Sequence, residues 1–230
     1  MMIPKEDDFM NDPAGTVYRI AELNPPVPGC TVSSMICRLQ EESITHFALA
    51  AGTGISAEHY THPSMYIGAL GCVKAGLHMK QQIRTAAFGP GELLLVPAGT
   101  DTSFQAEQDS VYTELNLAKE AVMNKAIEAG TIYRLRDLIP VQKGKIINLD
   151  LMESEHMKFV VMALGDGCEL PEHAAPGEAV LFVLEGKAAL RYAGRDHVLS
   201  AGDNFSFAKG GLHSVKAIGP LKIALLLALV

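Results

Sequence analysis

The sequence predicts an all-β protein with two similar halves, each a small barrel or sandwich, joined by a short helix. Apolar or alternating runs end at Gly, Pro, Asn or Asp about every ten residues, which is typical of β-sandwiches and β-barrels. The segment GTVYRIAEL at residues 15–23 recurs as GTIYRLRDL at residues 130–138, and such self-similarity indicates a duplicated unit. Two copies of about 110 residues are each long enough to enclose a core.

The first copy is predicted to form an N-terminal barrel over residues 1–116, followed by a linker helix over residues 117–130. Residues 117–129 carry Ala and Val at helical spacing and a polar face of Lys and Glu. Asn116 is a candidate N-cap, and Gly130 is placed as a C-terminal stop. The pattern therefore predicts a helix that joins the two barrels.

The second copy, residues 131–230, is predicted to form the C-terminal barrel. Apolar runs at residues 159–164 and 179–184 both end near glycines, and residues 188–199 indicate a hairpin. The apolar run at residues 221–230 is expected to close this barrel.

The composition is that of an ordinary globular protein, with 48% hydrophobic and 20% charged residues among 230. A net charge of −7 argues against nucleic acid and against an anionic membrane surface as partners. The N-terminus lacks the apolar stretch of a secretory signal, and the longest apolar run is too short to cross a bilayer. Four cysteines without a CxxC pair favour free thiols. We therefore expect a soluble, cytoplasmic protein.

Glycines and histidines in the second copy follow two regular spacings. These are Gly167-x5-His173 and Gly202-x5-Ala208-x-Gly210-x2-His213. They resemble the two motifs of the cupin superfamily, G-x5-H-x-H-x3-E-x6-G and G-x5-P-x-G-x2-H-x3-N. With the duplication counted, the chain is similar to a bicupin over essentially its whole length. The resemblance implies two tandem cupin β-barrels of the jelly-roll type.

Alanines replace several residues of these motifs. The resemblance implies a metal held by two histidines and a glutamate of the first motif and a histidine of the second. His173 and His213 stand at ligand positions, but Ala175 replaces the other histidine and Ala179 replaces the glutamate. Two imidazoles fall short of the three protein ligands usual in a catalytic metal site. The sequence thus predicts that the standard cupin metal site is absent.

The first copy departs further from the motifs. His59 matches His173, whereas Ser64 takes the glutamate position and Thr102 takes the position of His213. His62 is an additional histidine three residues from His59. We expect no metal in this barrel, which is interpreted as a packing partner for the other.

Three roles stay open for His173 and His213, which the resemblance directs into one cavity. The pair binds a small polar molecule with support from Glu178 or Tyr192, or forms part of the core, or holds one divalent transition metal (Fe, Ni, Mn or Zn). Glu178 adjoins the expected glutamate position, but strand alternation directs it to the other face unless a bulge intervenes.

The main hypothesis is therefore a bicupin that binds a small polar molecule in its C-terminal barrel. The alternative is a cupin enzyme of the dioxygenase, isomerase or lyase type, metal-dependent or using the histidines as acid and base. The sequence identifies no catalytic residue, and the fold alone does not decide between these classes. Because cupins pair through their sheets, a homodimer is also consistent with the resemblance.

Overall fold

The computed structural model describes residues 12–79 and 82–229, where β-strands make up almost all of the regular structure. Its first half contains β1 (Val17–Tyr18), α1 (Ile20–Leu23), β2 (Thr31–Leu39), β3 (Glu42–Leu49), β4 (Gly54–Tyr60), β5 (Ser64–Leu70), β6 (Val73–Met79), β7 (Gln82–Phe88), β8 (Glu92–Val96), β9 (Thr100–Ala106) and β10 (Ser110–Asn116). Its second half contains β11 (Val122–Met123), β12 (Ile132–Arg134), a 3-10 turn (Leu135–Asp137), β13 (Ile146–Glu153), β14 (Met157–Leu164), β15 (Glu169–Ala174), β16 (Glu178–Tyr192), β17 (Arg195–Ser200), β18 (Asn204–Phe207) and β19 (Leu212–Ala228). The predicted all-β class is confirmed.

Two sheets form the N-terminal barrel. One has six strands in the order β12-β8-β5-β10-β3-β2, and the other has four in the order β4-β9-β6-β7. Alternate residues on these strands point inward because successive side chains of a strand lie on opposite faces. The space between the sheets is filled by a cluster that includes Leu49, Phe88, Leu94 and Phe104.

The C-terminal barrel repeats this arrangement with longer strands. Its order β1-β18-β16-β19-β14-β13-β11 corresponds to the six-stranded sheet, and β15 and β17 pair with the remaining parts of β19 and β16. β16 and β19 thus belong to both layers, and their register shifts on both sides of Glu185, the neighbour of Gly186. Gly186 has a φ of 86°, and a Cβ atom there would lie 2.0 Å from the carbonyl oxygen of Pro220. Glycine is required because it alone accepts this φ and this close approach.

Each copy contributes a strand to the sheet of the other copy. β1 pairs with β18, with Val17 opposite Phe205, and β12 pairs with β8, with Ile132 opposite Leu94. Both strands lie in the repeated segments found in the sequence, so the exchange is reciprocal. The division into residues 1–116 and 131–230 stays a prediction, but each barrel as folded includes a strand from beyond that division.

A third core lies between the two barrels. It contains the outward-facing apolar residues of both large sheets, among them Ile44 and Leu115 from the first half and Phe159 and Leu226 from the second. These residues alternate along their strands with those that fill the barrels, so both faces of each large sheet are buried. The two barrels therefore share apolar packing as well as strands.

A buried polar network also connects the two halves. The Tyr18 hydroxyl donates to Asp12 Oδ2 at 3.0 Å and lies 2.6 Å from Ser206 Oγ. His46 Nε2 is 3.2 Å from Asp12 Oδ2, and Thr113 Oγ1 is 2.9 Å from His46 Nδ1. All five side chains are buried, so their polar atoms depend on one another for hydrogen bonds.

The predicted linker helix over residues 117–130 is wrong. The segment forms turns and the short strand β11, which pairs with β13. Leu117 and Ile127 are both buried in the core between the barrels, whereas a straight helix would hold them about 15 Å apart along its axis. A helix here would bury only the small apolar area of its Ala-rich face. Tertiary packing thus overrides the local helical pattern.

Within the described residues, no helix is long and apolar enough to span a membrane. α1 and the 3-10 turn occupy matching places in the two repeated segments and are each a single turn.

Candidate functional site

Two adjacent strands bring His173 and His213 together at the C-terminal barrel. β15 and β19 are antiparallel, and His173 lies directly opposite His213 in their register. The two imidazole ring centroids are 4.2 Å apart. The two histidines therefore lie side by side, as the sequence predicted. Their role in binding stays a prediction.

Backbone hydrogen bonds orient both imidazoles in the same way. His173 Nδ1 lies 2.8 Å from the carbonyl oxygen of Pro171, and His213 Nδ1 lies 3.0 Å from that of Gly211. A carbonyl oxygen only accepts, so each Nδ1 carries the proton. In the neutral rings each Nε2 then has a free lone pair, which is the atom available to a ligand.

The two histidines differ in their surroundings. His213 is only 6% exposed and packs on Phe207 with ring centroids 4.3 Å apart, whereas His173 is exposed. Burial lowers the pKa of His213, the hydrogen bond to Gly211 opposes this effect, and the nearby His173 lowers it further. His213 is therefore neutral at neutral pH, and its Nε2 acts as a hydrogen-bond acceptor or a base.

A cavity of about 360 Å³ adjoins the histidine pair. Its apolar wall comes from inward-facing residues of three central strands, including Val160, Leu181 and Leu225. Ala175 and Ala179 also line it. These are the positions where the resemblance expects a histidine and a glutamate, so the shorter alanine side chains leave space where longer polar side chains would stand.

Two of the residues predicted to support the ligand do not line this cavity. Glu178 is buried on the opposite face of β16, near Cys37 in the core between the barrels. Burial raises the pKa of the Cys37 thiol, and the charge of Glu178 raises it further. Strand alternation places Glu178 on that face, since its neighbour Ala179 faces the cavity. The Tyr192 hydroxyl instead accepts a hydrogen bond from the backbone N–H of Ala208 at 3.2 Å. Neither residue lines this cavity, and their predicted role in ligand binding stays a prediction.

Tyr192 influences the cavity only through the residues that it packs against. Its ring packs on Phe207 with centroids 5.7 Å apart, and Phe207 in turn packs on His213. Tyr192 therefore supports the orientation of His213 without contacting the cavity itself.

Sequence reasoning missed the polar and charged residues at the cavity. Asn148, Asp150 and Lys158 all contribute to its lining, and Lys158 Nζ is 2.8 Å from Asp150 Oδ2. The hydrogen bond with Lys158 lowers the pKa of Asp150, and the same contact raises the pKa of Lys158. The sequence did contain a signal for this site. Lys158 interrupts the otherwise apolar run of residues 157–164, and strand alternation places it on the same face as Val160.

The side chains at this cavity do not fit a standard metal centre. Nowhere in the described residues do three His, Cys, Asp or Glu side chains gather closely enough to hold an ion. Asp150, the carboxylate that lines the cavity, is bonded to Lys158 and Asn148. Two imidazoles without a third ligand fall short of the usual coordination.

The corresponding residues of the N-terminal barrel do not converge in this way. His59 bonds to Asp101, and His62 lies 4.0 Å from Glu41. Thr102 is fully buried and lies opposite Glu58 rather than opposite a histidine. The side chains at these motif positions thus make no counterpart of the paired histidines.

Comparison with known proteins agrees with this geometry. Residues 160–229 match the family model described as a cupin domain. A search of curated proteins gives no match. Together with the barrel topology, the family match supports the cupin superfamily and covers most of the second barrel.

Several solved structures share the fold. The chain is similar to a cupin 2 conserved barrel domain protein from Leptotrichia buccalis, with a TM-score of 0.82 and 20% identity over 96% of this chain and 99% of that chain. Oxalate decarboxylase from Bacillus subtilis matches with a TM-score of 0.53 and 14% identity over 98% and 79% of the two chains. AerE from Microcystis aeruginosa matches with a TM-score of 0.52 and 14% identity over 93% and 97%. The jelly-roll barrel fold predicted from the motif spacing is confirmed.

Proposed function

We propose that the C-terminal barrel of this cupin fold binds a small molecule that has a hydrogen-bond donor at one end and an apolar body. The observation that carries the proposal is the pair of Nε2 atoms presented by His173 and His213 at the edge of an apolar cavity. Pockets with an apolar wall and a few convergent polar groups are typical ligand sites.

The imidazole pair selects the polar end of the ligand. Both Nδ1 protons are already bonded to backbone carbonyls, so the neutral rings offer only acceptors to a ligand. A hydroxyl or phenol group donates to such an acceptor, whereas a carbonyl oxygen does not. The preferred head group is therefore a hydroxyl.

The cavity selects the rest of the ligand. Aliphatic side chains such as Met162, Ile223 and Leu227 line it together with the two alanines. Burying apolar ligand surface against them contributes roughly 25 cal/mol per Å² removed from water. A phenol or a short aliphatic alcohol combines the required head with such a body.

The test uses 4-methylphenol and toluene as matched probes that differ by one hydroxyl. We expect both to raise the midpoint of thermal unfolding, with 4-methylphenol bound about tenfold more tightly because one hydrogen bond contributes about 1.4 kcal/mol. His213→Ala should remove this preference while the protein still folds. His59→Ala, which changes the corresponding histidine of the other barrel, is the matched control and should keep it. An unchanged preference in His213→Ala would refute the site.

The paired imidazoles also favour a second candidate function, acid–base catalysis. The lowered pKa of His213 keeps its Nε2 available as a base, and exposed His173 lies beside it. If the pair acts in this way, small carbonyl compounds in D₂O should exchange the hydrogens next to the carbonyl, as followed by NMR. Exchange should be lost in both His173→Ala and His213→Ala, and its absence from the wild type would leave binding as the function.

A further inference from the structure

The cavity of the C-terminal barrel has polar groups at a second place besides the histidine pair. Lys158 on β14 and Asp150 on β13 both line it, and Lys158 Nζ lies 2.8 Å from Asp150 Oδ2. Asn148 Nδ2 donates to the other carboxylate oxygen, Asp150 Oδ1, at 2.7 Å. The ligand site proposed above therefore includes a charged pair that its histidines leave unused.

The strand register places this pair and the histidines at opposite ends of one row across the barrel wall. Lys158 lies opposite Leu227, Leu227 also lies opposite Ala179, and Ala179 lies opposite Phe207. All four line the cavity, and Phe207 packs on His213. Neighbouring strands are about 4.8 Å apart, so the row from Lys158 to Phe207 follows the curved wall for about 14 Å. The middle of the row is apolar.

Lys158 retains one hydrogen-bond donor for a ligand. An ammonium group has three N–H donors and no acceptor. In the described part of the chain, Lys158 Nζ pairs with Asp150 Oδ2 at 2.8 Å and with Glu153 Oε2 at 3.5 Å. Both oxygens of Asp150 already accept hydrogen bonds, from Lys158 and from Asn148. A ligand at this end of the cavity is therefore offered the third N–H of Lys158.

The charges around Lys158 select an uncharged ligand group. Their hydrogen bond lowers the pKa of Asp150 and raises the pKa of Lys158, so both are ionised at neutral pH. Glu153 adds a second carboxylate beside them. A carboxylate on the ligand would meet these two carboxylates, whereas an ammonium would meet the ammonium of Lys158. A carbonyl oxygen accepts the remaining N–H without either repulsion.

We propose that the ligand of the C-terminal barrel has a carbonyl group at the end opposite its hydroxyl, and that the carbonyl oxygen accepts a hydrogen bond from Lys158. This inference rests on the function proposed above and narrows its ligand class to hydroxy-ketones and hydroxy-esters. The apolar middle of the row contacts the carbon skeleton between the two polar groups. A para-substituted phenol has this arrangement, because its two substituents point in opposite directions.

Exposed residues at the cavity give such a ligand a route from solvent. His173 and Pro176 line the cavity and are exposed, and so is Asn148. The side chain of Lys158 is 27% exposed. Both polar ends of the site are therefore accessible to a small molecule.

The test compares 4-hydroxyacetophenone with 4-isopropylphenol, in which a methyl group replaces the carbonyl oxygen. Calorimetric titration of the full-length protein gives both dissociation constants. The affinity ratio of the ketone over the isopropyl compound should fall about tenfold or more in Lys158→Met, because a hydrogen bond from a charged donor is lost. Comparing ratios between variants cancels the effect of the carbonyl group on the phenol. Wild-type protein should also bind 4-hydroxybenzoate more weakly than the ketone.

Lys216→Met is the matched control. Lys216 also lies on a strand of this barrel and is 4.0 Å from Glu169, but it does not line the cavity, so this variant should keep the wild-type ratio. An unchanged ratio in Lys158→Met, with binding of both phenols still weakened by His213→Ala, would overturn this inference alone. Tighter binding of 4-hydroxybenzoate than of the ketone would also overturn it. Failure of both phenols to bind the wild type would overturn the proposed function as well.

Discussion

Glu114 and Leu225 stand at corresponding positions in the two barrels, yet they give their surroundings opposite character. Leu225 forms part of an apolar cavity wall, whereas burial raises the pKa of Glu114 to about 7. The polar neighbours Tyr60, Asn116 and Tyr66 oppose this rise, and Glu58 adds to it. One substitution between the copies thus places a titrating group inside a barrel.

This buried carboxyl should make stability fall as pH increases. The folded pKa of about 7 lies above the ordinary glutamate pKa of 4.5, so the folded state binds the proton more tightly than the unfolded state. The free energy of unfolding should therefore decrease by about 3 kcal/mol between pH 4.5 and pH 7 and then level off. Urea denaturation across this range measures the slope. Glu114→Gln should flatten this contribution, and a slope equal to that of the wild type would contradict the assignment.

The histidine pair alone should retain little metal. Tag-free protein dialysed with Fe, Ni, Mn or Zn is expected to hold far less than one ion per chain, because two imidazoles lack a third ligand. Plasma mass spectrometry measures the content. A stoichiometric ion that is lost in His173→Ala would contradict this expectation and favour the metal-dependent alternative.

At the level of single residues, the sequence predicted the histidine pair because motif spacing reports which strand positions face each other. It misplaced Glu178 because one step along a strand reverses the face. It missed Lys158 and Glu114 because each is the single charged residue of its strand. Such residues become informative only when the register shows which face they occupy.

Among the strands, the long bent pair β16 and β19 gives the C-terminal barrel its continuity. They pass from one layer to the other beside Gly186, and the first copy has Gly71 at the corresponding break between β5 and β6. Gly71 has a φ of 66°, and a Cβ atom there would meet the carbonyl oxygen of Asp109 at 2.3 Å. The same close approach therefore recurs in both copies.

Gly186→Ala should destabilise the protein by about 3 kcal/mol or more, since it adds a steric clash to a left-handed backbone conformation. Gly210→Ala is the matched control, because Gly210 has a similar φ of 76° but no atom within 4 Å of an added Cβ. That variant should lose only about 1–2 kcal/mol. Chemical denaturation compares the two, and equal losses would show that backbone strain alone accounts for the effect.

Over the whole molecule, the two barrels behave as one unit because they share strands, a core and a polar network. The duplication and the strand pattern predicted two barrels, since both signals are local in the sequence. They did not predict that β1 and β12 cross to the opposite barrel, because strand pairing depends on contacts between distant segments. The linker failed as a helix for the same reason: Leu117 and Ile127 are fixed by packing between barrels.

The isolated segment of residues 1–116 should not form a stable, monomeric barrel. It lacks β12 beside β8 and would expose apolar residues such as Ile44 and Leu115 that are buried between the barrels. We expect self-association or aggregation by size-exclusion chromatography, and a single unfolding transition for the full chain. A soluble monomer with a cooperative transition would show that the barrels are independent.

The reciprocal exchange of β1 and β12 implies a particular ancestor. A single unduplicated copy would have an open edge where the other copy's first strand now lies, and two such chains would fill each other's edges as a strand-swapped pair. The stability of that pair would have depended on its concentration. Fusion of the two copies makes the partner permanent at any dilution. It also frees each copy to diverge, as the apolar interior of one barrel and the acidic interior of the other show.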